Sequence, residues 1–210
     1  MADLNPELIA KVALELVNEK GADAFSLRSV AQRLGVTPMA IYHHVNGISG
    51  LAELVVDASL SDVPTDPGSG DWKDDLWTIA EWARENLARN PEVAQLRRAH
   101  RVWTEGMAKL NTAWVSAWKR SGLPEGAIPL AATSSSMTIF GLLNEGSLML
   151  GRQLAGDMGD AISERARRLL TDEDGQDELF EFSVRALIDG VYERALKTEV
   201  SKKATVQPAI

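Results

Sequence analysis

The sequence predicts an all-α chain, with an N-terminal three-helix helix-turn-helix domain followed by a larger helical domain. Three observations predict it. Apolar residues recur at helical spacing along most of the 210 residues. No convincing pair of alternating strand segments occurs. Cap-then-proline starts and glycine stops punctuate the pattern where helices should begin and end.

Taken in order, helix one starts at Asn5, with Pro6 at its first position, and carries Leu8, Ile9, Val12, Ala13, Leu16 and Val17 on one stripe before Gly21 ends it. Ser26 caps a second helix whose Leu27, Val30, Ala31 and Leu34 share a face, and Gly35 stops it. Thr37-Pro38 restarts a third, through Ile41 and Tyr42 to about Val45. Asn46-Gly47 is a turn signal, and a fourth helix covers 49–60. Residues 61–70, rich in Pro, Gly and small polar side chains, read as a linker, which divides the chain into domains 1–60 and 61–210. Beyond it, helices are expected from Asp71 to Asn90, briefly after Pro91, over 104–120 and 128–151, shortly at 162–170, and from Asp177 to about 197. The last ten residues should fray.

Composition excludes several classes. At 45% hydrophobic and 25% charged, the chain is ordinary for a globular protein. It has no run of ~18 apolar residues that could span a membrane. Its first five residues lack the basic and apolar regions of a secretion signal. Cysteine is absent, which removes disulfides and Cys-based metal sites and suits the cytoplasm. The net charge of −8 argues against an unspecific nucleic-acid binder. Residues 1–60 themselves hold four cations (Lys11, Lys20, Arg28, Arg33) and seven acids, a net −3.

Ala31, Gly35 and Ile41 carry the motif. Two short helices can meet at a sharp angle only if a small residue lets the second approach, a glycine takes positive φ in the turn, and an apolar residue returns to the shared core. These three residues stand at those offsets, with a cap before each helix. The same offsets also suit a plain helical hairpin in a larger bundle.

The run Ser26-Leu27-Arg28-Ser29-Val30-Ala31-Gln32-Arg33-Leu34-Gly35-Val36-Thr37, then Ile41-Tyr42-His43-His44-Val45 and Leu51, resembles the tetracycline-repressor (TetR) family. The segment from Phe180 to Gly190 resembles the end of such regulators. The resemblance implies an all-helical homodimer that binds double-stranded operator DNA through its N-terminal domain and a small effector through its C-terminal domain. Residue chemistry then suggests roles. Thr37, Pro38, Met39 and His43 are candidates near base edges, where hydroxyl and imidazole hydrogen-bond and apolar groups touch thymine methyls. Ser26, Arg28, Tyr42 and His44 are candidates for phosphates. Many family members carry a lysine shortly after the His-Val pair. Here Asn46, Gly47 and Ile48 stand instead, which predicts weaker and less salt-sensitive binding.

All six tryptophans lie between 72 and 118. Trp82, Trp103, Trp114 and Trp118, with His100, Met107, Phe140 and Asn144, are the candidates for lining a cavity for a flat aromatic or apolar effector, although tryptophans at helical spacing also suit a plain core. Arg97, Arg98, His100 and Arg101 form the densest basic run, suited to an anionic effector, to the DNA-binding domain, or simply to a solvated helix end. Ala131 and Ser135 are small enough for a second helix to come close. With Phe182, Leu187 and Val191 they form the candidate dimer face, although the same faces also suit completion of the monomer core.

The expected function is therefore a repressor released from its operator by an effector, with no cofactor and no metal. A DNA-scaffolding or protein-interaction module without effector control is the alternative. An enzyme is not expected, since no metal-ligand pair, phosphate-binding glycine loop or nucleophile elbow occurs.

Overall fold

The computed structural model describes residues 4–143, 153, 156–157 and 163–206. Asn144, a candidate effector residue, lies outside them, as does the stretch to 151 of the helix expected from 128. The described residues form helices and no strand. They run α1 (Pro6–Lys20), α2 (Leu27–Leu34), α3 (Pro38–Tyr42), α4 (Gly47–Ser59), α5 (Trp72–Arg89), α6 (Pro91–His100), α7 (Glu105–Arg120), α8 (Ile128–Leu142), α9 (Glu164–Thr171) and α10 (Glu173–Val206). Among them, no helix is long and apolar enough to cross a membrane.

Local chemistry sets the helix starts. The Asn5 side chain accepts the Leu8 N–H at 2.8 Å. The Asp71 carboxylate accepts the Lys73 N–H at 2.7 Å at the head of α5. Each satisfies an amide that the helix leaves unbonded. The last helix differs from expectation at both ends. It starts at Glu173, four residues before Asp177, and continues to Val206 instead of fraying after 200.

The chain divides into two compact units. One is the chain up to Thr65 together with Trp82–Thr112; the other is Asp66–Glu81 together with the chain from Ala113 onward. The first unit therefore takes in more than residues 1–60. Its core joins Ile9, Ala13 and Val17 of α1 to Val30, Ala31, Ile41, Leu51 and Val55, and to Val93 and Leu96 of α6. Each fully buried Val, Leu or Ile contributes roughly 1.5–3 kcal/mol relative to exposure. Polar ties hold the later segment in place. The Ala22 N–H donates to the Glu92 carboxylate at 3.0 Å, and the Asn18 amide donates to Asn90 at 2.9 Å. The Asn86 amide donates to the Ser59 carbonyl, and the Gly106 N–H donates to Asp57 at 2.7 Å. Gly106 is required there: a Cβ would lie 2.8 Å from both Asp57 Oδ1 and Leu60 Cβ.

The second unit is built around Ser135 on α8. Its hydroxyl accepts the indole N–H groups of Trp114 and Trp118, each at 3.1 Å, and donates to the Ala131 carbonyl at 2.6 Å. The Trp118 ring meets Trp72 at 5.2 Å between centroids, and Trp72 meets Tyr192 of α10 at 5.1 Å. Asp75 is buried beside them. Burial alone would push its carboxyl up, but the hydroxyl and amide of Ser69 and the guanidinium of Arg120 outweigh burial and hold it below the usual carboxylate range.

Candidate nucleic-acid interface and effector residues

Helices α2 and α3 meet across the three-residue turn Gly35-Val36-Thr37. Gly35 takes φ +69° and ψ 29°, the left-handed conformation that only glycine adopts cheaply. Nothing lies within 4 Å of where its Cβ would be, so the backbone angle, not space, calls for glycine. Ala31 and Ile41 are fully buried against one another's helices. The scaffold residues singled out in the sequence thus do what the motif needs.

That scaffold leaves the opposite face of α3 open. Thr37, Pro38, Met39, Tyr42, His43 and His44 are all exposed, Met39 at 65% and Tyr42 at 51%. The Thr37 hydroxyl caps α3 by accepting the Ala40 N–H at 3.3 Å. Ser26 is half-buried and caps α2, accepting the Ser29 N–H at 3.0 Å. Arg28 is exposed in the first turn of α2. Arg33 is committed elsewhere: both of its terminal nitrogens donate to Glu19 at 2.6 Å. That pair holds the Glu19 carboxyl below the usual carboxylate range.

The candidate effector residues separate. In the first unit, His100 meets Phe25 edge-on at 5.9 Å, Met107 packs on the core, and Trp103 is 67% exposed. Trp82 is half-buried, and its indole N–H is the one buried side-chain polar atom among the described residues that has no hydrogen-bond partner. In the second unit, Trp114 and Trp118 belong to the core. This corrects their assignment as cavity lining, because Ser135 and the Ala132 carbonyl already take their N–H groups and Trp118 has no exposed surface. Phe140 points outward, at 53% exposure.

Comparison with known proteins agrees with this geometry. A family model described as bacterial regulatory proteins, tetR family, matches residues 9–54, which span α2, the turn and α3. The tetracycline repressor protein class A from transposon 1721 of Escherichia coli is 28% identical over 209 residues, 93% of this chain and 94% of that protein. The chain is thus similar to the tetR family of bacterial regulatory proteins over its helix-turn-helix, and to a tetracycline repressor along nearly its whole length. Solved structures share its fold. ActR of Streptomyces coelicolor, in complex with actinorhodin, superposes with a TM-score of 0.70 at 22% identity, over 91% of this chain and 97% of that one. BioQ of Mycobacterium smegmatis, with its natural double-stranded DNA operator, gives 0.66 at 19%, over 90% and 98%.

The candidate dimer residues also need correction. Ala131 and Ser135 are wholly buried inside the second unit, so they cannot meet a partner. Leu187 and Val191 are half-buried. Only Phe182, at 71% exposure, faces out as expected. The outward apolar side chains of α8 are instead Leu130, Met137 and Phe140, and on α10 Leu179 joins Phe182. Their spacings of seven, three and three residues mark one stripe per helix.

Proposed function

We propose that this protein is a transcriptional regulator, a homodimeric repressor that holds operator DNA through α2 and α3 and leaves it when a small aromatic or apolar effector binds. The observation that carries the DNA-binding part is the combination in α3 of a fully buried Ile41 with an outward face of Thr37, Pro38, Met39, Tyr42 and His43. A helix anchored by one apolar residue and open on the other side fits a major groove. The outward stripes of α8 and α10 support a two-fold interface, which would present two such helices about one DNA turn apart, ~34–36 Å.

Trp82 supports effector control. A buried N–H without an acceptor costs on the order of 1–3 kcal/mol, and a ligand carbonyl or other acceptor removes that cost. Coupling of ~1–3 kcal/mol between effector and DNA changes affinity 5–150-fold, enough to switch a promoter. ActR bound to actinorhodin is a fold relative with such a ligand. The test is a mobility-shift assay on DNA from upstream of the protein's own coding sequence. The wild type should give a sequence-specific shift, and Thr37→Ala/Tyr42→Ala should lose it while keeping its helical content. Absence of any specific shift by the wild type would contradict the reading.

The missing family lysine gives a second expectation. Ile48 packs partly against the core, whereas Asn46 is exposed and makes no side-chain bond at the head of α4. Asn46→Lys should therefore tighten DNA binding without loss of stability. The log–log salt slope should steepen by ~0.9 per added contact, roughly two for a dimer. Ile48→Lys should gain less, because it gives up part of the Ile burial. Salt titrations of both variants, with urea melts alongside, check this ordering.

A further inference from the structure

We infer that His43 and His44 are the phosphate-binding cations of the DNA face, and that DNA binding therefore takes up protons. The inference rests on the DNA-binding reading above and specifies its chemistry. No Lys or Arg occurs between Arg33 and Lys73, a stretch that holds all of α3 and α4. A protein that binds DNA draws most of its sequence-independent affinity from cations against phosphates. Within that stretch the only side chains able to become cationic near neutral pH are His43 and His44. They stand side by side where α3 ends, both exposed, and among the described residues neither imidazole has a hydrogen bond or ion pair. Both are thus open to an incoming anion.

The surrounding charges leave this role to them. On α2, which packs on α3, the charged groups are Arg28 and Arg33, and Arg33 is bound by Glu19. On α4 they are Glu53 and Asp57, and Asp57 accepts the Gly106 N–H. On α1 they are Glu7, Lys11, Glu15, Glu19 and Lys20. None of these pairs with either histidine. Arg28 is the one permanent cation of α2 and α3 not already paired to a carboxylate.

The sign follows from linkage. A phosphate beside an imidazole favours the protonated form, so the complex binds more protons than its separated parts. Affinity then rises as pH falls, by up to about tenfold per pH unit for each proton taken up.

Fluorescence anisotropy of the full-length protein, at constant ionic strength from pH 6 to pH 8, tests this. The probes are a labelled fragment from upstream of the coding sequence and, at low salt, a random-sequence duplex. Wild-type affinity should increase at least about tenfold from pH 8 to pH 6 on either probe. His43→Gln/His44→Gln should bind weakly with a flat profile. His43→Lys/His44→Lys should bind tightly at both ends of the range, also with a flat profile. His100→Gln, on the third histidine, should keep the wild-type slope. A wild-type profile that is flat while binding persists, or a slope that survives the double Gln variant, overturns the proton linkage and leaves the DNA reading standing. No binding to either probe at any pH overturns both.

Discussion

Phe182→Asp is expected to break the proposed two-fold dimer into monomers and to weaken specific DNA binding by on the order of 10²–10⁴-fold. The side chain is 71% exposed in the protomer, so aspartate there costs the isolated chain almost nothing. At a two-fold interface the same substitution acts twice. It would place carboxylates within an apolar surface formed by Leu130, Met137 and Phe140 of α8 and Leu179 of α10. A monomer brings one recognition helix to DNA, and the gain from linking two half-site contacts disappears. Sedimentation velocity should show the mass halve while the far-UV spectrum stays unchanged. A dimer that persists would move the interface to another face.

Trp118→Ala is expected to have the largest effect on stability, a loss of about 3–5 kcal/mol. Trp118 is fully buried, packs on Trp72, and gives its N–H to Ser135. Truncation leaves a cavity the size of an indole and removes one of the two donors that fix the Ser135 hydroxyl. Trp103→Ala, at 67% exposure, should stay within about 0.5 kcal/mol. Urea unfolding of the two variants separates the core tryptophan from the surface one. A similar midpoint shift for both would contradict the packing described.

The contrast between these tryptophans shows where the sequence was legible. Gly35, Ala31 and Ile41 could be read because turn geometry and close approach are local demands with few residue solutions. The caps at Asn5, Ser26 and Thr37 were legible for the same reason, and each accepts an amide three residues on. Helix α8 was not legible in that sense. It is small or apolar nearly all round, so its periodicity does not tell the face of Ala131 and Ser135 from that of Leu130 and Met137. The small residues suggested close helix packing, which is correct, but the packing is intramolecular.

The make-up of the two compact units was hidden in the sequence for a different reason. The linker at 61–70 was visible in composition, but the return of Trp82–Thr112 to the first unit depends on ties such as Glu92 to Ala22 and Asp57 to Gly106. No local pattern announces contacts between residues that distant in the chain. The unpartnered N–H of Trp82 is of the same kind, because it emerges only when every buried donor in the folded chain is matched to an acceptor.

The most direct test of the central claim is a hydroxyl-radical footprint of the wild-type protein on its own upstream DNA. Two protected patches on one face of the duplex, their centres one turn apart at about 10–10.5 base pairs, are predicted by paired α3 helices in successive major grooves. Protection should disappear with Thr37→Ala/Tyr42→Ala. Uniform protection without sequence preference, or a footprint unchanged by that double substitution, would contradict a recognition role for α3.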